Sequence, residues 1–336
     1  MHYKWTLRIL FSWVLIASIA QAFQATPVDA KVSGVSIVPR RPAAEAPHEA
    51  ENAHLRVDAS LVVVPAFATT DRGATVANLK RENFRVFQDD VEQSVSYFAS
   101  DDAPVSIGLL FDASGSMHSK LQKSVDAVAQ FLKTANREDE FFLIEFNERP
   151  KLTVPFTADP DAIQERISRT RVFGRTSLYD AVHLALEQMK KAQKTRKAIV
   201  VFSDGGDNRS RYSFREIKAD LLEADVQLYT IGIFDPEVLD GGSRSTSPEE
   251  KAGPEVLAQL SEESGGMYFP VKNINDLPSI SSYVGNQLRN QYLLGYSPGQ
   301  IARDGKYHRF RVDVVPPAGL SNLRVFYRRG YHSPTQ

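Results

Sequence analysis

The sequence predicts an α/β fold, a doubly wound and mostly parallel sheet, with a small β-sandwich-like region formed by the N- and C-terminal flanks. Three observations carry that expectation. Short, continuous apolar runs at 105–111, 140–146, 198–202 and 226–233 read as strands buried on both faces. Amphipathic stretches separate them, and alternating strands and helices imply a parallel sheet wrapped by helices. Outside that block, residues 54–99 and 291–336 return to the two-residue period of half-buried strands.

In chain order, Leu55, Val57, Ala59, Leu61 and Val63 alternate with other residues and predict a first strand. Asp71 to Gly73 signals a turn. Residues 79–87 lead to a second strand, Gln88 to Asp90 to another turn, and 95–98 to a third strand. After the run 105–111, residues 119–134 are helical by spacing, with Leu121, Val125, Val128, Phe131 and Leu132 on one face. Residues 151–156 pair with 140–146 as an edge hairpin. Asp159 and Pro160 open a short helix, whose inner face is Ile163 and Ile167. Thr176 or Ser177 caps a helix with Leu178, Val182, Leu186 and Met189 inward. A helix at 214–224 follows the strand 198–202. After the strand 226–233 come a Gly- and Ser-rich loop over 235–253, a helix at 255–263, a short strand at 267–269 and a last helix at 274–290. The C-terminal flank contributes strands near 292–296, 307–314 and 323–327.

The N-terminus reads as an address. Lys4 and Arg8 precede an apolar run of about a dozen residues, shorter than the roughly 20 needed to span a bilayer. Ala20, Gln21 and Ala22 fit a small-x-small cleavage site, so residues 1–22 are expected to be an export signal, with an uncleaved anchor as the alternative. Residues 23–53, rich in Ala, Pro, Val and Glu, read as a flexible spacer. The domain plan is thus a signal at 1–22, a spacer at 23–53, a β segment at 54–99, the α/β domain at 103–290 and a second β segment at 291–336. The chain has no cysteine, which excludes disulfides, thiolate catalysis and zinc–thiolate centres. Its formal net charge of −1 gives no overall basic bias towards nucleic acid. A periplasmic or extracellular location follows from the signal.

The chemistry concentrates where strands hand over to helices. The run 105–111 ends in Asp112, Ala113, Ser114, Gly115 and Ser116. One carboxylate and two hydroxyls, all oxygen, suit a small hard cation. Taken alone, a turn and a helix cap explain the same residues. Two further loops offer Thr176 and Asp204. In a parallel sheet the loops leaving the C-terminal strand ends share one edge, so these five oxygen side chains can converge.

With these residues the chain resembles the von Willebrand factor A domain over about 103–290. The match consists of the Asp-x-Ser-x-Ser motif at Asp112, Ser114 and Ser116, Thr176 in the run Gly174 to Ala181, and Asp204 in the run Phe202 to Gly205. The flanks, with Asn83 to Asp89 ahead and Tyr292 to Pro298 and Gly305 to Tyr307 behind, resemble a bacterial exported subgroup of that family. The resemblance implies a metal-ion-dependent adhesion site. Ser114 and Ser116 would bind the ion through their hydroxyls, Asp112 and Asp204 partly through water, and Thr176 directly or through water. Magnesium is the implied ion, with manganese or calcium as alternatives, and the implied partner is a protein that presents an Asp or Glu carboxylate. Asp180 belongs to the family pattern but falls on a helix, so it is expected to support the site or cap the helix. Asp207 and Asn208 read as turn residues. In some A domains the last helix shifts and changes affinity; here that is 274–290.

Enzymatic readings find little in the sequence. There is no phosphate-binding glycine loop with its lysine. A haloacid-dehalogenase phosphatase needs a second aspartate two residues after the first, where Ser114 stands. His118 and His183 read as helix-surface residues. The expectation is therefore a non-enzymatic, metal-dependent binding module for adhesion or envelope assembly. The alternatives are a structural A domain with an unused site or, further off, a metal-dependent hydrolase.

Overall fold

A strand with eight consecutive buried residues, β5 (Val105–Asp112), lies at the centre of the sheet. The computed structural model describes residues 61–71, 73–100, 102–234, 247–298, 304–320 and 322–333. The expected signal at 1–22, the spacer at 23–53 and residues 235–246 of the predicted Gly- and Ser-rich loop lie outside them. β5 pairs in parallel with β6 (Glu140–Phe146) on one side and β8 (Arg196–Ser203) on the other. β9 (Gln227–Ile233) and β10 (Tyr268–Val271) extend the sheet in parallel beyond β8. β7 (Pro150–Thr157) closes the far edge antiparallel to β6. The order is β10-β9-β8-β5-β6-β7. The chain runs outward through β6 and β7 and then returns to the other side of β5, so the direction of winding reverses between β5 and β8.

Side-chain alternation along β5 sends Ile107, Leu109 and Phe111 to one core and Leu110 to the other. Helices α1 (Leu121–Leu132), α2 (Pro160–Ser168) and α6 (Leu277–Arg289) cover the first face through Val128, Phe131, Ile163, Ile167, Val284 and Leu288. Helices α3 (Leu178–Met189), α4 (Phe214–Glu223) and α5 (Pro248–Ser264) cover the second through Leu178, Val182, Ile217, Leu221, Leu257 and Leu260. This is the doubly wound fold that the sequence predicts.

The flanks build two four-stranded sheets around a third core. One has the order β13 (Leu323–Tyr327), β1 (Val62–Thr70), β11 (Tyr292–Tyr296) and β4 (Tyr97–Ala99). The other has β14 (Gly330–His332), β12 (Tyr307–Val314), β2 (Phe84–Gln88) and β3 (Val91–Gln93). Val64, Ala66, Val86, Leu294, Tyr296 and Val312 fill the space between them. The α/β domain is thus inserted between β4 and β11 of a small sandwich. Asp89 and Asp90, both at positive φ, form the tight turn that joins β2 to β3.

The sandwich is keyed into the α/β core. Phe67 of β1 is fully buried, stacks on Phe326 with centroids 4.7 Å apart and reaches Tyr229 of β9 at 6.1 Å. Gly265 ends α5 at φ +76°, and a Cβ there would sit 2.1 Å from the Arg328 amide nitrogen, so the two backbones meet only over a glycine. Helix α6 is tied to the N-terminal strands as well: the Tyr283 hydroxyl donates to the Gly73 carbonyl and Gln287 Nε2 to Thr75 Oγ1. At its end Arg289 pairs with Asp102 at 3.0 Å and Asp139 at 3.1 Å.

The structure departs from expectation in several elements, among them the following. The first strand begins at Val62, and Leu55, Val57 and Ala59 lie outside the described residues. Helix α5 starts at Pro248, inside the stretch read as loop, because Ser247 and Glu250 form a capping box with proline at the first turn. Neither Thr176 nor Ser177 caps α3 with its side chain: the Ser177 hydroxyl donates to the Asn147 carbonyl instead.

Because β1 has β11 and β13 as its two neighbours, deleting residues 291–336 should leave residues 62–99 open to protease. Limited proteolysis with mass spectrometry reads this directly. Full protection of 62–99 in the truncated chain would mean that the N-terminal strands are held by something other than this pairing.

Candidate functional site

β5 and β8 end side by side at the point where the winding reverses, and their last side chains meet. Asp112 is fully buried. Its Oδ1 accepts the Ser114 amide at 2.9 Å, and its Oδ2 accepts the Ser203 hydroxyl at 2.5 Å. Ser114 has extended backbone and opens a single 3-10 turn, Gly115–Met117, that buried Met117 anchors. That turn brings the Ser114 and Ser116 hydroxyl oxygens to 3.1 Å of each other. Asp204 follows directly on β8 and is 5% exposed. Its Oδ1 accepts the Gly206 amide, and its Oδ2 lies 3.7 Å from the ammonium of Lys120, itself buried.

Thr176 joins through its loop. The Gly115 amide donates to the Gly174 carbonyl at 3.0 Å and the Phe173 amide to the Ala113 carbonyl at 2.9 Å. On the other side the Thr176 amide donates to Asn208 Oδ1 at 3.0 Å, and the Asn208 amide to the Thr176 carbonyl at 3.1 Å. The three loops therefore close on one another pairwise, first to second, second to third and third to first. Thr176 is buried, and its hydroxyl has no hydrogen-bond partner among the described residues.

Asp180, Asp207 and Asn208 turn out to stitch the second and third loops. Asp207 Oδ2 accepts the Tyr179 amide and the Ser210 hydroxyl accepts the Asp180 amide, so the first turn of α3 is capped from another loop. In return Asp180 accepts the amides of Arg211 and Tyr212. Ser203, Lys120 and Asn208 are the site neighbours that sequence reasoning missed. Ser203 and Asn208 lie one residue before and four after Asp204, so adjacency was the available signal. Lys120 had none, because its pairing depends on where α1 begins. His183 is half-buried between Asp220 and Tyr212, at 2.9 and 3.0 Å.

Electrostatically the site is under tension. Burial first, and then the charge of Asp204, push the Asp112 carboxyl up to about 7. Among the described residues no three His, Cys, Asp or Glu side chains gather as a metal site. The candidate donors are two carboxylates and three hydroxyls, without nitrogen or sulfur. That set fits a hard, oxygen-seeking divalent cation, and a cation between the two carboxylates would relieve their repulsion.

Residues 107–206 match the family model of the von Willebrand factor type A domain. The chain contains a von Willebrand factor A domain. The matched stretch of the A domain runs from β5 to the turn after β8 and so includes all five candidate oxygen donors. An uncharacterized protein of Borreliella burgdorferi is 22% identical over 188 residues, which cover 51% of this chain and 55% of that protein. The match thus spans about half the length of that curated relative. Among solved structures, an aerotolerance-related membrane protein from Bacteroides fragilis is 18% identical, with 55% of this chain and 98% of that chain covered and a TM-score of 0.45. A von Willebrand factor type A protein from Catenulispora acidiphila is 11% identical, with 74% and 73% covered and a TM-score of 0.48. The vWF domain of the type V pili tip protein Mfa5 from Porphyromonas gingivalis is 12% identical, with 55% and 95% covered and a TM-score of 0.43.

The carboxyl pair makes the metal-free A domain pH-sensitive in a defined sense. A carboxyl whose folded value is raised favours folding while protonated, and that contribution is lost as pH rises through the raised value. In EDTA the melting temperature should therefore fall from about pH 4 to about pH 7, and Asp112→Asn should flatten the fall. An unchanged slope in Asp112→Asn, read by thermal melts across that range, would assign the dependence to other groups.

Proposed function

We propose that this A domain is a metal-dependent protein-binding module, used in adhesion or envelope assembly outside the cytoplasm. The observation that carries the reading is the pairwise closure of three loops around two buried carboxylates and three hydroxyls at the C-terminal edge of the sheet. Asp112, Ser114, Ser116, Thr176 and Asp204 would hold the ion, magnesium first, with manganese or calcium as alternatives. When bound, the cation supplies a Lewis-acidic point with room for an outside oxygen ligand. The protein's own part is orientation. The Ser114 amide and the Ser203 hydroxyl fix both oxygens of Asp112. The Gly115–Gly174 and Thr176–Asn208 hydrogen bonds hold the loops in register, and burial keeps water from competing for the carboxylates. A partner side chain that completes such a site must bring negative charge, so an Asp or Glu carboxylate is the natural ligand.

The export reading rests on residues 1–22 of the sequence. No helix among the described residues is long and apolar enough to cross a membrane. A binding role accords with the absence of a phosphate-binding glycine loop with its lysine in the sequence. One observation favours a second reading, a purely structural A domain: the Lys120 ammonium already lies 3.7 Å from Asp204 and supplies part of the missing positive charge.

Calorimetric titration of the intact chain with magnesium separates the two. Saturable binding is expected, lost in Asp112→Ala and in Asp204→Ala while far-ultraviolet circular dichroism is retained. In the same preparations magnesium should raise the melting temperature of the wild type alone, by roughly the amount that ligand linkage predicts at saturating metal. No heat and no thermal shift in the wild type would overturn the metal-dependent reading in favour of the structural one.

A further inference from the structure

Beside the candidate site runs a groove of about 590 Å³ whose walls are cationic. Ala113, between Asp112 and Ser114, and buried Phe146 are part of its lining. Arg149 comes from the β6–β7 turn, Lys151 from the edge strand β7, Arg166 and Arg169 from the end of α2, and Arg171 and Phe173 from the segment that leads to Thr176. Glu145 is the carboxylate that lines it among the described residues, and it is already engaged, paired with Arg166 at 2.6 Å and accepting the Thr170 hydroxyl. Arg169 pairs with Glu165 at 2.6 Å. Arg149, Lys151 and Arg171 are exposed and have no ion pair among the described residues. Phe173, 60% exposed, stands at the same rim, and its amide is bonded to Ala113 of the site loop.

This clustering is local, because the chain as a whole carries a net charge of −1. Three uncompensated cations and an exposed aromatic ring on one wall are the composition of a recognition surface. We propose that the groove receives an acidic peptide segment of the partner, so that the ligand is selected by a run of carboxylates leading to the one that enters the site. The proposal rests on the preceding reading for where the segment ends, and on the groove's own charges for what it binds. A peptide fits better than a nucleic acid. The groove's lining includes Ala113, the residue after buried Asp112, whose charge disfavours a phosphate nearby, and the groove offers one exposed aromatic platform where single-strand binders use several in series.

Fluorescence anisotropy on the intact chain tests this with three probes: a Gly/Ser peptide carrying one aspartate, the same peptide with glutamates around that aspartate, and a single-stranded oligonucleotide. In magnesium the glutamate-rich peptide should bind at least about tenfold tighter than the single-aspartate peptide, with an advantage that shrinks as salt rises. The Arg149→Glu, Arg171→Glu double variant should erase the advantage and leave the heat of magnesium binding unchanged. The neutral pair Arg149→Gln, Arg171→Gln should erase part of it, which guards against a folding defect from charge reversal. Equal affinity for both peptides, an advantage that survives charge reversal, or preference for the oligonucleotide would overturn the proposal. If magnesium fails to bind and charge reversal still erases the advantage, the metal reading falls and the groove stands.

Discussion

Two carboxylates placed in the same dry corner are the constraint on which this site depends. Asp112 and Asp204 leave neighbouring strand ends at the one place in the sheet where the chain changes its direction of winding. Burying either charge is costly unless hydrogen bonds or a counter-charge compensate it. The structure supplies both in part: Ser114, Ser203 and Gly206 donate to the pair, and Lys120 approaches Asp204. What the protein does not neutralise shows in the raised Asp112 carboxyl. Such unrelieved repulsion in a natural protein is more common at functional sites than in structural cores.

The same corner explains why the loops are bound to one another and not only to the sheet. Carboxylates that repel would drive their loops apart if each loop were free. The paired backbone bonds Gly115–Gly174, Phe173–Ala113 and Asn208–Thr176 oppose that, and Asp207 and Ser210 fix the start of α3 to the third loop. The rigidity reaches further. Helix α6 packs on α1, the helix that begins just after Lys120, and its own side chains reach the Gly73 and Thr75 backbone turn of the sandwich. The next residue but one after α6, Gln291, is buried and donates to Gln227 at the base of β9, while its carbonyl accepts Arg196. The sandwich and the A domain thus share a helix end, a buried polar cluster and the Phe67–Phe326 stack.

The sheet, its helices and the placement of the five oxygen-bearing side chains on loops at one edge could be read from the sequence because each signal was local. An apolar run that stops at an oxygen-bearing loop is visible in a dozen residues, and parallel order then places such loops on one edge. The misses have a common cause in tertiary partners. Thr176 and Ser177 look like caps, yet α3 takes its caps from Asp207 and Ser210, about 30 residues later. Ser203 looks like the last residue of a strand, and only the register that pairs its neighbour Phe202 with Phe111 makes it a donor to the Asp112 carboxylate. The start of α5 was missed for the opposite reason. A local signal, Ser247 with Glu250 and Pro248, was present, and the Gly- and Ser-rich composition around it outweighed it.

Charge pattern completes the picture on a scale that composition hides. With nearly equal numbers of acidic and basic residues, the chain has no field that would steer a ligand from afar, and beyond about 8 Å at physiological salt such a field would be screened in any case. Selectivity must then act at contact, where groups are partly desolvated. An isolated site with one open oxygen position would accept almost any carboxylate and so discriminate poorly. Specificity needs a second set of contacts, because it is a difference between affinities and not an affinity. The wall formed by Arg149, Lys151, Arg171 and Phe173 stands against the same loop that carries Asp112 and Ser114. A ligand that satisfied the oxygen site without satisfying that wall would leave three cations uncompensated beside it, and one that met the wall without a carboxylate would leave the site incomplete. On the proposed reading the two surfaces would discriminate together, because the hydrogen bond between Phe173 and Ala113 holds them in a fixed relation.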